Sequence, residues 1–142
     1  MQIVTSLSFN GQCREAFEFY RSVLGGEIQA FPFSEAPPEM PVGPEYKDWL
    51  MHAWLQIGDQ AIMGADIPKA FAPNIEKPKN GFDITFHSHD LEESRRVFDA
   101  LSAGGEVRMA FAETFWSPGY GNFIDKFGIP WMINTFPADA AK

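Results

Sequence analysis

The chain has 142 residues, 45% hydrophobic and 15% aromatic, which suits one compact domain or two small modules around one sheet system. Its net charge of −8, from 19 acidic and 11 basic residues, argues against nucleic acid or an anionic membrane as a partner, because phosphate binding needs a cationic face. Cys13 is the single cysteine, so an internal disulfide is excluded. Neither a long apolar stretch nor a signal-peptide pattern is visible. Together these observations lead us to expect a cytoplasmic protein.

The first half of the chain predicts one helix among four strands. The helix covers residues 12–24, where apolar side chains recur every three or four positions until Gly25-Gly26 ends it. Strands are expected at 3–9, 27–33, 50–57 and 60–65, by their alternation and by the turn at Gly58-Asp59. Residues 34–48 hold five prolines or glycines, and this long loop either covers a pocket or is mobile.

A breaker-rich link over residues 67–80 precedes a second copy of the same pattern. A strand at 82–88 leads to Asp90, a helix N-cap residue, with Glu93 three residues later as in a capping box. The helix covers 91–102, Gly104-Gly105 ends it, and strands follow at 106–111, 121–125 and 131–136. The repeat predicts an α+β fold in which two modules, 1–66 and 81–137, pair their sheets around a shared hollow.

Residues 113–122, with the sequence Glu-Thr-Phe-Trp-Ser-Pro-Gly-Tyr-Gly-Asn, combine aromatic, breaker and polar residues in an unusual density. Apolar surface with a few orienting polar groups is typical of the wall of a small-molecule cavity. The alternative is a hairpin whose aromatic side chains only cover the sheet. For Trp116 and Tyr120 we favour the pocket wall, because they flank a segment that has to turn.

Several segments resemble one known family. They are Ser8-Phe9-Asn10-Gly11, Ala16-Phe-Glu-Phe-Tyr20, Leu24-Gly25-Gly26-Glu27, His52-Ala53, Glu113-Thr-Phe-Trp116, Gly119-Tyr-Gly121 and Asp125-Lys-Phe-Gly-Ile-Pro-Trp-Met-Ile-Asn134. In this order they resemble the vicinal oxygen chelate superfamily, which includes glyoxalase I, bleomycin-resistance proteins and extradiol dioxygenases, and most of all its PhnB branch. The resemblance implies two βαβββ modules with curved mixed sheets around a cup, and a homodimer.

The resemblance also suggests a cofactor, a divalent metal. Metal-dependent relatives place ligands on the first and last strand of each module, and these positions carry over to Val4 or Thr5, Met63, Asp83 and Asn134. Thioether and amide groups are poor ligands for a hard divalent ion, so this set disfavours a glyoxalase-type site.

Other candidate site residues follow from their strand positions. His52 and Trp54 alternate with apolar residues, and His52 is either a hydrogen-bonding pocket residue or a metal ligand or general base. Glu113 is either a buried acid or base, or a residue that makes a salt bridge or cap. His87, His89 and Cys13 are expected at a strand end, on the surface and in the core, respectively.

These observations lead to two functional hypotheses. One is a metal-assisted lyase or isomerase acting on an oxygen-rich small molecule, with His52 and Glu113 as catalytic residues and Trp54, Met63, Asp83, Trp116, Tyr120 and Asn134 contacting substrate. The other is a metal-free protein that sequesters an apolar or aromatic compound. A methyltransferase is disfavoured, because no glycine-rich strand-to-helix loop is present for a nucleotide-type cofactor.

Overall fold

The computed structural model describes residues 1–38, 42–73, 75 and 79–138. Contacts within the chain divide it into two units, Met1–Lys77 and Pro78–Lys142, each with one α-helix and one four-stranded sheet. In the described part of the chain, neither helix is long and apolar enough to cross a membrane. Residues 39–41 of the expected long loop, and residues 74 and 76–78 of the expected link, lie outside the described residues.

The first unit contains the elements β1 (Thr5–Phe9), α1 (Cys13–Leu24), β2 (Glu27–Pro32), β3 (Leu50–Ile57) and β4 (Gln60–Asp66). Its sheet has the strand order β1-β4-β3-β2, in which β1 runs parallel to β4 and the other pairs are antiparallel. Two short 3₁₀ turns, Phe33–Glu35 and Pro44–Tyr46, lie between β2 and β3.

The second unit repeats this arrangement. It contains β5 (Ile84–Ser88), α2 (Leu91–Ser102), β6 (Glu106–Ala112), β7 (Tyr120–Ile124) and β8 (Pro130–Thr135). Its strand order, β5-β8-β7-β6, again has one parallel pair, β5 with β8, and two antiparallel pairs. The α+β class and the repeated order of elements predicted from the sequence are therefore confirmed.

Each helix covers one face of its own sheet. Alternation in β1 and β3 places Leu7, Ala53 and Leu55 on the side of α1, where Phe17 and Tyr20 are fully buried. Burying a side chain such as that of Phe17 contributes about 1.5–3 kcal/mol, so this face holds the unit together. In the second unit Phe98 packs edge-on against Phe123 in the same way, with ring centroids 5.2 Å apart.

Two local expectations were wrong. Ile3 lies before β1 and is exposed, so the first strand is shorter than its alternation suggested. The capping box is only half formed: Oδ1 of Asp90 accepts the N–H groups of Glu92 and Glu93, but the Glu93 carboxylate binds Arg96. The N–H of Asp90 donates instead to Oγ of Ser88, which leaves Glu93 free to pair within the helix.

Candidate functional site

The second sheet has an open face, defined as the side turned away from α2. Trp131 and Ile133 are buried towards the helix, so the intervening Met132 and Asn134 lie on the open face. Residues that pair with each other on neighbouring strands form rows that run across the sheet. One row contains His87, Asn134, Tyr120 and Ala112, and the next contains Thr85, Met132, Asn122 and Met109.

The first row contains a linked pair of polar side chains. The Nδ2 atom of Asn134 lies 3.2 Å from Nδ1 of His87. The Oδ1 atom of Asn134 is buried and accepts no hydrogen bond from the described residues. A buried acceptor without a donor is costly, about 1–3 kcal/mol, which makes this atom a candidate contact for a ligand. Tyr120 is the next residue in the row, and its hydroxyl oxygen accepts a hydrogen bond from Nδ2 of Asn122 at 3.4 Å.

A rigid turn holds an aromatic group beside this row. The hydroxyl of Thr114 accepts the N–H groups of Trp116 and Ser117, at 3.3 and 3.1 Å. The buried Ser117 hydroxyl lies 2.8 Å from the Thr135 carbonyl and ties the turn to β8. The Trp116 ring then lies edge-on to Tyr120 at 5.4 Å, while Phe115 is 97% exposed. Trp116 therefore contacts Tyr120, the residue that pairs with Asn134 across the strands.

The two histidines at the end of β5 contact Phe136. The His87 ring stacks on Phe136 with centroids 4.8 Å apart, and the His89 ring lies 4.9 Å from it. Both histidines are exposed, in agreement with their expected positions. Asp83 precedes β5 and is also exposed, so no strand holds it in the rows of the open face.

The open face of the first sheet, the side turned away from α1, carries the remaining candidates. Trp54 pairs across the strands with Met63 on one side and with Gln29 on the other. Its indole N–H donates to Oε1 of Gln56 at 2.8 Å, which fixes the ring. His52 lies on the same face, half-buried, with its ring 6.4 Å from that of Trp54. His52 and Trp54 thus share one face, as their alternation indicated, and Met63, whose position came from the family resemblance, lies on that face too.

The positions inferred for a metal do not form a suitable ligand set. Thr5 pairs with Ile62 on the side of α1, whereas Met63, on the open face, pairs with Ser6. Among the described residues, no three His, Cys, Asp or Glu side chains come together as a potential metal site. Thioether and amide groups at the remaining positions do not suit a hard divalent ion. The residues present therefore do not fit the metal that the family implies.

Three ionisable groups, Glu113, Cys13 and Lys79, differ in their burial. Glu113 is exposed, so it lacks the burial on which its role as an acid or base depended. Burial, followed by the charge of Asp66, raises the pKa of the Cys13 thiol to about 12. Burial also lowers the pKa of Lys79, although Asp125 partly offsets that effect. Cys13 is thus a protonated core residue, as expected, and does not act as a nucleophile.

Sequence reasoning missed several polar residues. Asn122 and Thr85 lie on the open face, and their signal was the alternation of β7 and β5. Asp66 is buried on the side of α1, where its Oδ1 accepts the N–H groups of Gly11 and Cys13 and its Oδ2 that of Leu50, each at 2.9 Å. The sequence signal for these hydrogen bonds is an acidic residue at a position of β4 that faces the core.

Comparisons with known proteins agree on one family. A family model described as the Glyoxalase/Bleomycin resistance protein/Dioxygenase superfamily matches residues 3–133. Protein YjdN of Escherichia coli (strain K12) is 36% identical, and the match covers 95% of each chain.

Several solved structures are similar to almost the whole chain, among them the following two. Protein PA1353 of Pseudomonas aeruginosa is 39% identical with a TM-score of 0.85, covering 96% of this chain and 98% of its own. The PhnB protein of Bacillus cereus is 24% identical with a TM-score of 0.75, covering 95% of this chain and 99% of its own, and at that identity it supports the fold alone.

Proposed function

The chain belongs to the Glyoxalase/Bleomycin resistance protein/Dioxygenase superfamily, and we propose that it is a PhnB-like protein that binds a small aromatic molecule on the open face of its second sheet. The proposal depends above all on the row of His87, Asn134 and Tyr120, with Trp116 beside it. Such a row offers aromatic rings for stacking and one buried acceptor, Oδ1 of Asn134, for a hydrogen-bond donor on the ligand.

The chemistry of this face selects a neutral ligand. The two rows contain amide, hydroxyl, thioether, imidazole and aromatic groups and no Lys, Arg, Asp or Glu, while Glu106, paired with Ile124, belongs to the following row. A ligand carboxylate would therefore find no cation in these rows to balance its charge. A phenol, by contrast, could donate its O–H to Asn134 and stack its ring on Tyr120 or Trp116. We assign the same type of contact to Trp54, Met63 and His52 on the first sheet.

We favour binding without a divalent metal over metal-assisted lyase or isomerase chemistry. The support for this choice is the donor chemistry of Met63 and Asn134, which a hard ion does not favour. Under this proposal His52 is a hydrogen-bonding residue and Glu113 a surface carboxylate. The cup shared by two modules remains a prediction from the family resemblance.

The test uses 2-naphthol as the probe and protein labelled with ¹³C in its methionine methyl groups. Binding on the open face should shift the Met132 and Met109 signals, and Asn134→Leu should weaken affinity about tenfold, the value of one hydrogen bond. Asn80→Leu is the matched control, since Asn80 is exposed and outside the rows. Unchanged Met132 and Met109 signals at saturating 2-naphthol would contradict the proposal.

Elemental analysis of protein purified without chelators tests the choice between the two versions. We expect no stoichiometric zinc, nickel, manganese or iron. A stoichiometric metal that disappears in His52→Ala would establish the metal-dependent version instead.

A homodimer and a cytoplasmic location also belong to this proposal. Strand β6 is an edge strand of its sheet, and every residue in it except Phe111 is exposed. Exposed edges with side chains such as Val107 and Met109 are suited to pairing with a second subunit. Light scattering at micromolar concentration should give twice the chain mass, and a monomer would contradict it.

A further inference from the structure

A second hollow lies in the first unit, separate from the open face. This first-unit cavity has a volume of about 330 Å³ and is lined by Phe33, Val42, Met51, Asp66, Ile67, Pro68 and Phe71. It lies where β2 and β4 end and β3 begins. Phe71 is 61% exposed, so the wall of the cavity reaches the surface there.

Backbone hydrogen bonds fix the walls of the first-unit cavity. The N–H of Phe33 donates to the Trp49 carbonyl, and that of Ile67 to the Phe9 carbonyl, at 2.9 and 2.8 Å. The N–H of Phe71 donates to the Pro68 carbonyl at 2.9 Å, which closes a turn at the rim. The space is therefore bounded by paired backbone as well as by apolar side chains.

Asp66 is the only charged residue among the described lining residues, and its oxygens are already engaged. They accept three backbone N–H groups, and the residue is only 1% exposed. The side chains of the described lining residues therefore offer no strong hydrogen bond to an occupant. Water in this apolar hollow would find few polar partners among the described lining residues, so an apolar occupant could displace it favourably.

We propose that the first-unit cavity is a second binding site, specific for a neutral, apolar molecule of about the size of naphthalene. A dry apolar cavity of about 150 Å³ holds benzene, so the larger volume here suits a bicyclic hydrocarbon. An anionic ligand would face the Asp66 carboxylate in a chain of net charge −8, and the described lining residues include no cation to offset it. This site does not depend on the binding proposed for the open face.

Methionine methyl NMR can separate the two sites in the full-length protein. Met51 lines the cavity, whereas Met63, Met109 and Met132 lie on the open faces. Naphthalene should shift the Met51 signal, and 2-naphthoate should leave it unchanged at the same concentration. Single Met→Leu variants assign the signals.

Two substitutions test the location. Val42→Phe should fill the cavity and reduce naphthalene affinity at least tenfold, whereas Ile3→Phe, at an exposed position before β1, should not change it. Phe71→Ala, at an exposed position that folding tolerates, should weaken binding about tenfold through the loss of one aromatic contact.

The outcomes distinguish this site from the proposed function. A Met51 shift with naphthalene that is lost in Val42→Phe or reduced in Phe71→Ala supports the cavity site, even where 2-naphthol fails to shift Met132. A naphthalene effect confined to Met63, Met109 or Met132, or none at its solubility limit, overturns it. An equal Met51 response to 2-naphthoate overturns the neutral ligand class.

Discussion

The backbone N–H of Cys13 donates to Oδ1 of Asp66 at 2.9 Å, although 53 residues separate the two. The same oxygen accepts the N–H of Gly11, and Oδ2 accepts that of Leu50. One carboxylate at the end of β4 therefore joins the start of α1 to the start of β3. In doing so it satisfies donors that no strand or helix partner would otherwise reach.

Asp66→Ala should lower the free energy of unfolding by about 3 kcal/mol, because three buried N–H groups lose a charged acceptor. Asp66→Asn keeps one acceptor oxygen and should cost less. Chemical denaturation measures both. Asp99→Ala, on the exposed face of α2, is the control and should change stability by less than about 0.5 kcal/mol. Equal effects of Asp66→Ala and Asp99→Ala would show that the network contributes little.

Cys13 should be unreactive in the folded protein. Its pKa of about 12 and its full burial leave no exposed thiolate near neutral pH. A disulfide reagent such as Ellman's should therefore react with this thiol only after the protein is unfolded. Rapid reaction under native conditions would contradict the burial of this side chain.

The same thiol predicts a pH dependence of stability. Its pKa rises on folding from 9.0 to about 12, so the unfolded state loses the proton first. The contribution of Cys13 to stability is complete below pH 9.0 and is lost as the pH rises towards about 12. Subtracting the profile of Cys13→Ala from that of the wild type should isolate this loss, and parallel profiles would refute it.

The contact between Asn134 and His87 predicts a tautomer. Because the Asn134 amide donates to Nδ1, neutral His87 should carry its proton on Nε2. Asn134→Asp replaces the donor with an acceptor and should move the proton to Nδ1. Long-range ¹H–¹⁵N spectra of the imidazole distinguish the two forms. The same tautomer in both proteins would mean that this contact does not control His87.

Ser117→Ala should destabilise the second unit by about 1–3 kcal/mol. The buried hydroxyl donates towards the Thr135 carbonyl and accepts the N–H of Gly119, and alanine leaves these groups without a partner. Ser102→Ala is the matched control, since that hydroxyl is more exposed and only 3.5 Å from its acceptor. Thermal unfolding should separate the two variants clearly.

Much of the fold was predictable because its signals are local. The bounds of β3 and α2 agree with the prediction at both ends, since a tight turn follows the strand and Asp90 and Gly104 border the helix. The Gly-Gly pairs were reliable for a steric reason as well: a Cβ on Gly26 would lie 2.3 Å from the Gln56 carbonyl. Alternation alone placed His52 and Trp54 on one face.

The features that escaped prediction depend on residues far apart in the chain. Asp66 binds N–H groups at positions 11, 13 and 50, and Asn134 contacts a histidine 47 residues away. The shift in register between Phe31 and Pro32 likewise depends on how β2 meets β3. The exposure of Glu113 had no local signal either, because aromatic residues, Phe111 and Phe115, stand two positions away on both sides.

Each sheet has a helix-covered side and an open side, and the two sides differ in how well they tolerate substitutions. Replacing Leu55 or Phe123 with a polar residue would disrupt the core. Trp54, Asn122 and Met132 lie on the open sides and are less buried, so substitutions there do not disturb the core packing. The residues of the two open faces can therefore differ while both units keep the same topology. A library randomised only at open-face positions should therefore retain many folded members.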